Sequence, residues 1–318
     1  MDASFLIHYG TIGSVMGLSS LGVGLGQGAV GKAAVDAAVL QPHARADINR
    51  AAILGIALLD TAAIFGITIG ILLLTSTNTV MDNWYTGIAY AGIACALGIS
   101  SLCVGFFASG PVISACYALA RHPQTSPAII RLMLISQTLI QTPLIFGFII
   151  SVLIRFGSAP RAQDIYDSLR IIASGLAIGL GSIGPTIGLS RFGLNAVKSL
   201  GLNRESQRTV TSFAFISQAI IETPLIFALI IALIVLFMPS GGSDIIKAIK
   251  ALCAAVCIGL GTYGPSISSS NTASAACTEI ALRPENYSII SRLSLTSQAL
   301  IDTSVIYSLI VAFMCVFI

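Results

Sequence analysis

Charge is scarce in this sequence. Its 318 residues include 16 Lys and Arg and 13 Asp and Glu, so only 9% are charged. Soluble domains carry about 25%, and few soluble folds could cover their surface with so little. The net charge of +3 is spread in ones and twos, without the clustered basic patch a nucleic-acid surface needs. Histidine is nearly absent. His8, His43 and His122 lie near the ends of apolar stretches, where interfacial placement is expected, and none lies near the Cys253/Cys257 pair. The sequence therefore offers no metal site, and none of its motifs reads as a nucleophile or a phosphate loop. No signal peptide is expected: Asp2 stands where a basic start would be, and the first apolar stretch is longer than an h-region.

What is abundant is apolar. Hydrophobic residues make up 55% of the chain and mean hydropathy is +0.93, which makes it an integral membrane protein. Cys95, Cys103, Cys116, Cys253, Cys257, Cys277 and Cys315 all lie in apolar segments, where free cysteine packs as a small hydrophobe. A spanning helix needs about 20 apolar residues. Eight stretches qualify, near 5–39, 48–74, 85–119, 128–154, 168–200, 206–237, 245–281 and 288–318. The expected fold is all-α: eight transmembrane helices in four tandem hairpins, over 1–78, 79–158, 159–240 and 241–318.

The hairpins are repeats. "LLDTAAIFG", "LIQTPLIFG", "IIETPLIFA" and "LIDTSVIYS" align on Asp60, Gln141, Glu222 and Asp302. These positions are evenly spaced but for a single residue at the last step. A threonine follows each: Thr61, Thr142, Thr223 and Thr303. A glutamine stands four residues earlier in three copies, Gln137, Gln218 and Gln298, where the first copy has Ile56. A fixed period of this kind marks repeated structural units. The first helix of each pair is rich in small residues, as in "GVGLGQGAVG" and "GLAIGLGSIGPTIG", which in membranes lets backbones approach closely. No strand precedes these glycines, so they are not a dinucleotide fingerprint. The links within pairs are short and polar. In three of them a proline (Pro42, Pro123, Pro284) stands at one fixed distance before the polar position. The side holding these links carries 11 of the Lys and Arg residues and the opposite side 5. That bias places the within-pair links in the cytoplasm and both termini outside.

A carboxylic acid in mid-membrane is costly and marks a functional site. Apolar surroundings favour its neutral form, so Asp60, Glu222 and Asp302 read as reversible proton carriers. Gln218 and Gln298 and the following threonines are expected to hydrogen-bond the protonated acid. Gln141 cannot ionise, and the second hairpin is expected to be an inactive site.

Together these features resemble the c subunit, or proteolipid, of F-type ATP synthases. "GVGLGQGAVGKAAVDAAVLQPHARADI" (residues 22–48) is similar to that family's first helix and loop. The resemblance covers nearly the whole chain, four times over. It implies a rotor: a homo-oligomeric ring in the lipid bilayer with first helices inside, turning against the a subunit and docked by its loops on the central stalk. It also implies a non-catalytic, ion-carrying role without cofactor, with catalysis in partner subunits, and a bacterial plasma membrane rather than an organelle. The chain departs from the family in fusing four hairpins, in lacking one acid, and in keeping only parts of the loop Arg-Gln-Pro motif. Hairpin fusion with loss of an acid is better known in V-type proteolipids. Sodium-type rings of the family use a first-helix glutamine. Here Gln27 stands as far before Asp60 as Ala108, Leu189 and Ser269 stand before their own polar positions. A sodium ion wants several oxygens and Leu189 supplies none, so protons are favoured over sodium. A secondary transporter is the rival from another class, but such repeats are commonly inverted around broken helices, whereas these hairpins all insert the same way.

Overall fold

A computed structural model describes residues 2–75, 83–203, 205–238 and 245–318. The expected hairpin boundaries at 78/79 and 240/241, and Arg204 of the charge count, lie outside the described residues. Among those described there is no strand. Eight helical rods follow one another: α1 (Asp2–Leu40), α2 (Arg45–Leu74), α3 (Trp84–Arg121), α4 (Pro123–Arg161), α5 (Ile165–Leu200), α6 (Gln207–Phe237), α7 (Ile245–Leu282) and α8 (Tyr287–Phe317). Seven are long and apolar enough to cross a membrane. The exception is α1, whose apolar side chains are diluted by glycine and serine.

The loop prolines have a visible role. Pro42, Pro123 and Pro284 each open a single 3-10 turn between the two helices of a hairpin. Proline suits that first position because its missing N–H would have had no partner there. The third hairpin has no such proline and turns through Gly201 and Leu202 instead.

The odd-numbered helices form one layer, each beside the next in parallel. Glycine makes this possible. A Cβ on Gly26 would collide with the Gly105 carbonyl oxygen, and one on Gly175 with that of Gly92. The layer also carries a ladder of buried hydroxyls at one level. Ser19 and Ser101 share a hydrogen bond of 2.7 Å, Ser100 donates to Ser182 at 3.2 Å, and Thr262 donates to the Gly181 carbonyl at 3.4 Å. Residues 19, 100 and 181 are equivalent positions in the repeat, as are 101, 182 and 262, so one rung recurs at each interface.

The second hairpin is less regular than its sequence pattern suggests. A π turn at Ala94–Gly98 widens α3. Carbonyls within that turn press on Gly179 of α5 and Gly147 of α4, so glycines on both neighbours make room for it. At Ala108 the helix tightens, because Pro111 cannot bond the Phe107 carbonyl. Ser190 of α5 takes up that carbonyl instead, at 2.5 Å. Near the far end of α6, buried Arg170 donates to the Val235 and Leu236 carbonyls at 2.9 and 3.0 Å and pairs with Asp167 at 3.6 Å. A cation on the last carbonyls satisfies both the orphan acceptors and the helix dipole.

The four hairpins lie side by side in chain order. Among the described residues, α1 and α2 make no comparable packing with α7 and α8. The chain is therefore an open arc with two free edges.

Candidate ion-binding sites

Each polar position sits on an even-numbered helix, and its partner depends on the hairpin. Asp60 of α2 accepts from Gln27 Nε2 of α1 at 2.5 Å. Asp302 of α8 accepts from Ser269 Oγ of α7 at 3.4 Å. The two pairs have the same separation along the chain, so the same two positions of the hairpin meet. In the third hairpin Leu189 holds the inner position and has no polar atom to give. There Glu222 of α6 lies beside Thr142, on the preceding hairpin. The structure thus places Gln27 and Ser269 beside their acids, at the first-helix position that the sodium-type rings of the family use. It also adds Thr142, a residue the sequence marks only as a repeat of the threonine motif.

The threonines do not serve their own acids. Thr61 and Thr303 donate to the carbonyls of Leu58 and Leu300, at 2.8 and 2.7 Å, and Thr223 to that of Ala219 at 3.2 Å. A hydroxyl in an apolar helix finds its nearest acceptor three or four residues back along its own backbone. The glutamines also depart from expectation. Gln218 Nε2 donates to Ser136 Oγ on the preceding hairpin at 2.7 Å. Gln298 Nε2 donates to Ser217 Oγ at 3.4 Å, and to Ser294 of its own helix at 3.1 Å. Both are buried and reach the preceding hairpin. Gln137, Gln218 and Gln298 each keep a buried Oε1 that accepts no hydrogen bond among the described residues.

Gln141 occupies a built position. Its Nε2 donates to the Leu58 carbonyl of α2 at 2.7 Å. Its backbone N–H bonds Thr138 rather than the residue four back, a local tightening just before Pro143. An ionised carboxylate has no proton to give the Leu58 carbonyl, so an amide keeps this contact at every pH, whereas an acid would make it only when protonated. No group of three or more metal-ligating side chains occurs among the described residues.

The family model for the ATP synthase c subunit matches residues 11–73, 172–235 and 252–315, more than half of the chain. The chain belongs to the ATP synthase c-subunit family. Its three matches contain Asp60, Glu222 and Asp302, and the second hairpin, with Gln141, is passed over. Similar proteins include the ATP synthase c subunit of Dehalococcoides mccartyi, 36% identical over 72 residues, which are 23% of this chain and 95% of that protein. The c subunit of Chloroflexus aurantiacus is 38% identical over 71 residues, 22% of this chain and 93% of that one. The chloroplastic c subunit of Cyanidioschyzon merolae is 37% identical over 75 residues, 24% and 93%. Each relative thus corresponds to about one hairpin of this c-subunit chain. A second family model, dolichyl-phosphate-mannose-protein mannosyltransferase, matches residues 50–154. That stretch starts inside α2 and covers less than half of the chain, so it corresponds to no structural unit.

Proposed function

We propose that the chain is a rotor-ring proteolipid of an ATP synthase that carries protons on Asp60, Glu222 and Asp302. One observation carries this reading: the three hairpins matched to the c-subunit family are the three with an acid at the equivalent mid-helix position. The chain supplies carriers rather than catalysis, and ATP chemistry belongs to partner subunits. Four hairpins per chain assemble into a homo-oligomeric ring in lipid. The a subunit exchanges ions with the carboxyls, and the central stalk meets the loops. The excess of Lys and Arg at the within-pair links supports loops in the cytoplasm and termini outside. Likeness to subunits from Dehalococcoides and Chloroflexus supports a bacterial plasma membrane.

Protons are favoured because the sites are poor in oxygen. Leu189 stands at the inner position opposite Glu222, and Thr61, Thr223 and Thr303 hydrogen-bond their own backbones. Asp60, with Gln27, is the pair closest to a sodium site. Labelling with a carboxyl-reactive carbodiimide, with and without sodium, tests this. Equal labelling of Asp60, Glu222 and Asp302 in both conditions is expected. Protection of Glu222 by sodium would overturn the proton assignment, and protection of Asp60 alone would assign only that site to sodium.

A further inference from the structure

The glutamine one turn before the polar position does not follow the acids. The acids are in hairpins 1, 3 and 4, whereas the glutamines are in hairpins 2, 3 and 4, with Ile56 in hairpin 1. What the glutamines follow is the set of interfaces inside the chain. Gln137 donates to the Gly55 carbonyl at 2.7 Å, Gln218 to Ser136 and Gln298 to Ser217, each on the preceding hairpin. The receiving positions 55, 136 and 217 step by the repeat, and the next member is Ser297. Ser136 and Ser217 are 1% and 0% exposed at these interfaces. Ser297 is partly exposed and turns its hydroxyl onto the Leu293 carbonyl of its own helix at 2.8 Å.

The inner layer ends in the same way. Gly22 closes on the backbone of Leu102, and its equivalent Gly184 closes on that of Tyr263. The next member of that series is Gly264, which has nothing within 4 Å of an added Cβ. At the other end Leu21, equivalent to Leu102, is 53% exposed. Gly24, equivalent to Gly105, also has open space. The two free edges are the two halves of an interface the chain already contains three times.

We infer that these edges meet between copies of this chain, α7 and α8 of one copy against α1 and α2 of the next, in the internal register. Ile56 then covers Ser297 of the neighbouring copy. Asp60 lies beside that copy's Thr303, as Glu222 lies beside Thr142 within the chain. The seam differs from every internal interface in two ways. It has no covalent link, and an isoleucine replaces the glutamine clamp. Asp60 is also the acid whose own inner helix supplies an amide, Gln27, so it holds a hydrogen-bond partner before the seam closes. This inference rests on the ring reading above.

The test uses the full chain in its native membrane. Ile56→Cys combined with Ser297→Cys, oxidised with copper phenanthroline, is expected to give a non-reducing ladder of two and more chains. Either single variant, and the parent with its 7 native cysteines, gives none. Native mass spectrometry of the purified assembly separates the two levels of failure. A closed ring of this chain without the ladder overturns the seam and leaves the ring reading standing, as does cross-linking to a different, smaller chain. No ring at all overturns both. As a second readout, Ile56→Gln restores the missing clamp and is expected to raise the temperature at which the ring splits into chains in SDS by several degrees. Adding Ser297→Ala should return it to the parental value. An unchanged temperature in the Ile56→Gln ring removes Ile56 from the seam.

Discussion

At the residue scale, the four equivalent positions are distinguished by what reaches them. Gln27, Thr142 and Ser269 each approach one acid, from a different direction or a different residue type. Gln141 reaches out itself, as a donor to Leu58. Replacing Gln141 with Glu is expected to leave the chain in the membrane but to remove that donation whenever the carboxyl is ionised. Carbodiimide labelling per chain should rise from three carboxyls to four, read by intact mass. If Gln141→Glu labels no further, the position is closed to solvent-borne protons. Gln137→Leu isolates the clamp without touching an acid. A hydrogen bond between membrane helices is worth about 0.6 kcal/mol on average and up to about 1.7. A loss in that range, measured by thermal unfolding in detergent, is expected, with proton transport retained.

At the scale of the element, packing rests on where side chains are absent. Gly175 faces the Gly92 carbonyl without room for a methyl group. Gly175→Ala is expected to destabilise by about 1–3 kcal/mol, as overpacking of a tight core does. Gly13→Ala meets nothing within 4 Å in the single chain. It should be neutral or slightly stabilising there, since glycine costs about 1 kcal/mol against alanine within a helix. Melting temperatures of the two variants check the contrast. Arg170 is a different kind of support. Replacing it with Met removes the cation beside Asp167 and the N–H groups that two carbonyls accept, and breaking a buried pair costs about 3–5 kcal/mol. The expected result is a large loss of folded protein, measured as detergent-soluble yield.

At the scale of the whole molecule, the open arc controls the arithmetic of the ring. If only this chain closes it, the hairpin number is a multiple of four. Three copies, for example, would present twelve hairpins but nine carboxyls, because each chain lacks one acid. Fewer carriers per turn means fewer ions moved per ATP, a gearing suited to pumping against a steep gradient. Native mass spectrometry is expected to give an integer number of identical chains. A ring containing additional single hairpins would end this arithmetic.

Repetition made much of this legible in advance. One fixed period, with acids at one phase of it and glycines at another, already implied parallel hairpins with equivalent sites, because equal sequences pack equally. The pairing of Gln27 with Asp60 was suggested only by the resemblance to sodium-type rings of the family. What the sequence could not decide was direction. Gln218 and the threonines stand within a turn of the acids along the chain, yet they bond across an interface or back onto their own helices. That choice depends on which face is buried and which acceptor is nearest. The tertiary structure alone decided that the glutamines belong to the seams between hairpins and that Glu222 lies beside Thr142. It also left one edge of the repeat open at Ile56 and the other at Ser297. The physical reason is the same in each case: in an apolar medium a polar side chain goes to the closest acceptor, and closeness is set by packing.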